Sequence, residues 1–123
     1  MKVIIWIIQA LVALVFIGAG LMKLATPYNE LIADPNMAWA GDFSSTQIKI
    51  IAALEILGAI GLIVPMFIAK FRMLVPISAL GLALVMVGAM ITHLGRNEPI
   101  FMNIVLLALA LLTAWWRRSF LKN

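Results

Sequence analysis

Four long stretches of the chain are almost free of polar side chains: Val3 to Leu24, Ile48 to Ile68, Met73 to Leu94 and Ile100 to Trp116. A helix rises about 1.5 Å per residue, so about 20 apolar residues cross a hydrocarbon core of about 30 Å. Each stretch is close to that length. The pattern predicts an all-α membrane protein, a four-transmembrane-helix antiparallel bundle with helices at about 3–24, 48–68, 73–94 and 100–116. The last stretch is the shortest, and it runs into Trp115 and Trp116, whose rings favour the headgroup interface, and then into Arg117 and Arg118. The first follows Lys2 and includes Gly18, Ala19 and Gly20, as a secretory signal peptide would. It is longer than the apolar part of such a peptide and ends in Lys23, so it reads as a retained helix.

The connections differ in kind. Residues 25–47 form a surface loop rich in turn formers and interfacial aromatics (Pro27, Tyr28, Pro35, Asn36, Trp39, Gly41, Asp42), a composition suited to lying at the membrane surface. Pro27 fits the first turn of a short helix through Leu31 and Ile32. Ser44, followed three residues on by Gln47, fits a capping box opening the second long helix. The connections around Lys70 to Arg72 and Gly95 to Pro99 are tight, which makes neighbouring helices antiparallel.

Composition agrees with the pattern: 65% of the 123 residues are hydrophobic and 11% charged, against about half apolar in soluble domains. Residues 1–123 read as a single transmembrane domain. The net charge of +4 comes from nine Lys and Arg scattered between the apolar runs, not gathered into a patch, which argues against a nucleic-acid partner. Their distribution sets an orientation instead. Lys2, Lys70, Arg72, Arg117, Arg118 and Lys122 fall on one side of an alternating path, against Lys23, Lys49 and Arg96 on the other, so the positive-inside rule predicts both termini cytoplasmic. Four of the five acids, Glu30, Asp34, Asp42 and Glu98, fall in connections of the opposite side.

The fifth acid, Glu55, lies inside a helix among Leu54, Ile56 and Leu57. An isolated ionisable group in a bilayer costs about 2.5–3.5 kcal/mol on insertion scales, so Glu55 is either protonated or paired. Counted from Ile48 it sits about 10 Å below the outer end of its helix, and the polar groups at comparable depth are Lys23, His93, Arg96 and Asn103. Helical spacing brings them toward one inward surface. Gln9, Ala13, Phe16, Gly20 and Lys23 share a face of the first helix; Glu55, Gly58, Leu62 and Pro65 share one of the second. Gly81, Val85, Gly88 and Thr92, with Ala89, His93 and Arg96 on an adjacent stripe, do so on the third, and Asn103, Leu107, Ala110 and Ala114 on the fourth. Small residues on these stripes are expected to let backbones approach closely. Structural readings stand beside the functional one: Lys23 and Arg96 snorkelling to the interface, an Arg96–Glu98 loop pair, His93 as an interfacial or capping residue, Gln9 and Asn103 as interhelical hydrogen-bond partners, and a Lys23–Glu55 packing pair.

With no Cys, the chain lacks disulfides, thiolate metal sites and cysteine nucleophiles. One His builds no usual zinc or haem site alone, and the eight Met, Met66, Met73, Met86 and Met90 among them, are dispersed as core filling and lipid contact are. No Gly-rich phosphate loop and no Ser, His and Asp set is present.

The segment Phe16 to Lys23 (FIGAGLMK), Glu55 within ALEILGAIGLIVP, Pro76 before SALGLALVMVGAMITHL and Asn103 opening a Leu-rich last helix together resemble the DoxX-like family of small four-helix membrane proteins. The likeness spans nearly the whole chain. It implies recurring polar positions at Lys23, Glu55, His93 and Asn103. It also implies relatives that include a subunit associated with thiosulfate:quinone oxidoreduction, membrane partners of oxidative-stress complexes and a eukaryotic receptor-assembly chaperone, most members having no established activity. The leading expectation is an accessory or assembly component for a membrane redox or stress-related partner in a bacterial cytoplasmic (inner) membrane, not an enzyme by itself and with no evident cofactor. The alternative is a membrane enzyme or binding protein whose non-cytoplasmic pocket holds a quinone, lipid or other small amphiphile through Glu55, His93 and Lys23, with Arg96 and Asn103 as further binding residues. A proton or solute transporter is weaker, since four short helices enclose little volume unless the chain forms a homo-oligomer.

Overall fold

The computed structural model describes residues 2–122. Five α-helices follow in order: α1 Lys2–Ala25, α2 Tyr28–Ala33, α3 Ser45–Ile63, α4 Leu74–Gly95 and α5 Phe101–Trp116. Short 3₁₀ helices occupy Pro35–Asp42, Val64–Phe67, Ala69–Phe71 and Arg118–Lys122, and the described residues include no strand.

The boundaries have local causes. The capping box at the start of α3 is formed: Gln47 N donates to Ser44 Oγ at 3.1 Å and Ser44 N donates to Gln47 Oε1 at 2.9 Å, satisfying two amides that a helix start leaves unpaired. The helix therefore opens at Ser45 and not at the first apolar residue, Ile48. At its other end Pro65, which has no amide proton to donate, converts the last turn to 3₁₀ after Ile63. The region 25–47 is not an open loop. Tyr28 Oη donates to the Phe43 carbonyl and closes the segment on itself, and Leu31, Ala40 and Ile48 are buried together beneath Trp39 and Phe43.

Three helical segments, Lys2–Ala25, Ser45–Phe67 and Ala69–Gly95, are long and apolar enough to cross a membrane; α5, with 16 residues, is a shorter apolar helix of about 24 Å. Polarity is distributed inside out. Leu14, Phe67, Leu84 and Phe101 stand about 70% exposed on the outside, whereas Gln9, Lys23, Glu55 and Thr113 are buried. Water does not tolerate such an exterior over a whole molecule, and lipid does.

Helix α1 packs on α3, α3 on α4, α4 on α5, and α5 returns to α1. The inward face of α1 is Ile5, Gln9, Val12, Ala13, Phe16, Gly20 and Lys23, all buried. A β-carbon at Gly20 would lie 2.6 Å from Ile56 Cγ1 and 2.8 Å from the Ala52 carbonyl oxygen, and one at Gly58 would lie 2.6 Å from Leu82 Cδ2. Glycine is what allows these two helix pairs to touch. The expected role of Gly81 and Gly88 is corrected: a β-carbon at either would meet nothing within 4 Å, because α4 packs instead through Val75, Pro76, Ala79, Leu82, Ala83 and Met86.

Candidate functional site

A cavity of about 860 Å³ is lined by α3 from Ile51 to Gly58 and by α4 from Ser78 to His93, with residues of α1 and α5 contributing. Gly81 and Gly88 line it, so their missing side chains make room where close packing was expected. Its walls are apolar, with Phe16, Leu54, Leu82 and Val85 among them, and its polar lining is Lys23, Glu55, Ser78, Thr92, His93 and Asn103. Trp39 and Phe43 from the 3₁₀ segment and its end complete the wall. Apolar walls with a few convergent polar groups are what a site for a small apolar molecule requires.

Lys23 Nζ donates to Glu55 Oε1 at 2.7 Å, and both side chains are more than nine-tenths buried. Because α3 begins at Ser45, Glu55 lies about ten residues, or about 15 Å, into its helix, deeper than a start at Ile48 implies. Lys23 Nζ also sits 5.7 Å from the Trp39 ring centroid, a distance at which a cation is attracted to an indole face. The His93 ring packs edge-on against Trp39, with ring centroids 5.7 Å apart.

His93 Nδ1 is 2.8 Å from Glu98 Oε1. The turn between α4 and α5 makes that contact. Asn97 has φ 57°, a left-handed conformation that asparagine tolerates better than most residues, and its N–H reaches the Leu94 carbonyl while Glu98 N–H reaches that of His93 at 2.9 Å. This is a Schellman closure, and it folds Glu98 back onto the ring it accepts from. The His93 hydrogen bond, foremost, together with Arg96 holds the Glu98 carboxyl below the ordinary glutamate range. Arg96 donates through Nε to Glu98 Oε2 at 3.4 Å and through Nη1 to Asp42 Oδ1 at 3.0 Å. It thus ties the 3₁₀ segment to the α4–α5 turn.

Of the five residues anticipated at a site, Lys23, Glu55, His93 and Asn103 line the cavity and Arg96 does not. Arg96 braces the cavity's edge from outside. Among the described residues, Asn103 Nδ2 has only the Met86 sulfur, at 3.8 Å, as a partner. Sequence reasoning missed Trp39, Phe43 and Glu98 as parts of this constellation; Trp39 registered only as an interfacial aromatic. Arg117, which the sequence placed only in the charge count of one side, also makes a specific bond: its Nε donates to Gln9 Oε1 at 3.0 Å, and Gln9 in turn donates to the Leu62 carbonyl, one of the last four of α3, which lack helical donors. Among the described residues no three His, Asp or Glu side chains converge as metal ligands would.

The profile of the DoxX-like family matches residues 7–115, which include α1 from its second turn, the 3₁₀ segment, α3, α4 and nearly all of α5. The chain belongs to the DoxX-like family. With its apolar helices, this DoxX-like chain is a small integral membrane protein. No curated protein and no solved structure matches it.

Proposed function

We propose that this DoxX-like protein binds a small amphiphile, a quinone or a lipid, in the cavity between α3 and α4. The observation that carries the reading is the cavity itself: about 860 Å³ of largely apolar space with its ionisable groups gathered at one end. A four-span antiparallel arrangement with both termini cytoplasmic accompanies it, supported by the six-to-three excess of Lys and Arg at the end holding the chain termini. In that arrangement the polar end of the cavity lies in the non-cytoplasmic half of the bilayer. Leu54, Leu57 and Leu84 are exposed along the rim, which gives a membrane-dissolved molecule a lateral way in.

The accessory reading is compatible and says what binding is for: holding or handing on an amphiphile beside a redox or stress-related partner in a bacterial inner membrane. It rests on the family likeness.

Gly88→Leu tests the binding reading. Position 88 is open to the cavity and bears no packing contact, and leucine is the better helix former by about 1 kcal/mol. The variant should fold at least as well as the wild type and lose most of its affinity for decylubiquinone or 4-dodecylphenol in nanodiscs. Unchanged affinity for both probes in the folded variant overturns the proposal.

A further inference from the structure

We infer that the cavity's ligand is a neutral amphiphile carrying a hydroxyl group, and that His93 Nε2, kept free as an acceptor by Glu98, takes the hydrogen bond from that hydroxyl. The inference rests on the binding reading above and narrows it to hydroxyl-bearing amphiphiles, a quinol or a hydroxylated lipid over the oxidised quinone.

An ionised carboxylate only accepts hydrogen bonds, so the 2.8 Å contact to Glu98 requires a proton on His93 Nδ1. In the neutral ring that leaves Nε2 with a lone pair, the tautomer being set by the bond at the other nitrogen. Glu98 is well placed to enforce this. Its N–H is fastened to the His93 carbonyl, its Oε1 to the ring, and its Oε2 is within reach of Arg96, which is itself anchored on Asp42. Nε2 makes no hydrogen bond among the described residues, and the only buried side-chain nitrogen or oxygen without a partner is Arg117 Nη2. The free nitrogen of His93 therefore meets open space, and His93 lines the cavity.

Charge selects against an ionic headgroup. Lys23 and Glu55 neutralise one another at 2.7 Å, and a second charge brought beside them meets a compensated pair and loses its own hydration. A hydroxyl carries no such cost, and it supplies the donor that Nε2 lacks. Asn103 Nδ2, bonded among the described residues to a weak sulfur acceptor alone, can donate to a further oxygen on the same molecule.

The test compares 4-dodecylphenol with its methyl ether, which lacks only the donor, on the full chain in nanodiscs at pH 8, each corrected for partition into empty nanodiscs. Wild type should prefer the phenol by about tenfold. His93→Phe keeps a ring and loses the acceptor, and should bind both probes at the ether's affinity. Glu98→Gln can donate to Nδ1 and so turn Nε2 into N–H; the preference should then reverse toward the ether, whose oxygen accepts without leaving an unpaired O–H, an outcome that mere loss of the acceptor does not produce. If neither probe binds wild type above empty nanodiscs, the binding reading itself fails. If both bind wild type equally, or the phenol preference survives in folded His93→Phe, the hydroxyl assignment fails while the cavity remains a binding site.

Discussion

The Lys23–Glu55 pair costs the chain desolvation at both ends and returns it through a single short contact in low dielectric. Breaking such a pair from one side leaves an unpaired buried charge, so Glu55→Gln should destabilise by about 3–5 kcal/mol, read as a shift in an SDS-unfolding midpoint in mixed micelles. The double variant Lys23→Met/Glu55→Leu replaces both charges with apolar volume and should recover most of that loss. Equal damage in the single and double variants would show that the pair does more than neutralise itself. Glu98 differs because it stands at the surface end of the same constellation. Its pKa lies below the ordinary glutamate value, so whatever its bond to His93 contributes is fully present above that ordinary value and is lost as pH falls through the depressed one. A carboxyl ¹³C titration of Glu98 should therefore report a midpoint below that of a free glutamate, and His93→Phe should move it upward, since the His93 bond is the leading cause of the depression.

At the scale of elements, the α4–α5 turn carries the geometry on which His93 depends. Asn97→Gly keeps the left-handed residue without strain and should leave stability nearly unchanged. Asn97→Val forces a β-branched residue into that conformation at a cost of about 1–2 kcal/mol. In thermal melts valine should be the clearly weaker variant, and in the phenol and ether comparison it should erode the preference by loosening Glu98. The turn's role was not legible in the sequence, where Arg96 to Glu98 read as a tight connection with a loop ion pair. What was legible follows from periodicity. The α1 face running Gln9, Ala13, Phe16, Gly20, Lys23 is buried throughout, since a 3.6-residue repeat leaves little choice of which side turns inward, and the Ser44–Gln47 box formed because its partners are three residues apart. Gly81 and Gly88 misled for a physical reason. A missing side chain serves a close helix contact and an empty space equally well, and only the neighbour's position decides between them. Trp39 joined the site because the chain between α1 and α3 closes on itself through Tyr28 and Phe43, a path that no local pattern encodes. The Gln9–Arg117 bond was hidden likewise, spanning 108 positions.

Taken as a whole, the molecule is electrically and spatially lopsided. The end formed by the start of α1, the α3–α4 connection and the segment after α5 carries Lys2, Lys70, Arg72, Arg117, Arg118 and Lys122 without an acid among them. The other end carries Glu30, Asp34, Asp42 and Glu98, the segment over the cavity, and the cavity's polar lining. Positive charge resists translocation, so the first end should stay in the cytoplasm and the cavity should face away from it. The chain's lack of cysteine makes this directly measurable. Asn29→Cys in α2 and Ser119→Cys after α5 both fall at exposed positions. In intact cells a membrane-impermeant maleimide should modify the cysteine at position 29 and leave that at 119 untouched until the membrane is opened. The converse labelling would invert the molecule, put the Trp39 edge of the cavity on the cytoplasmic side and overturn the proposed orientation.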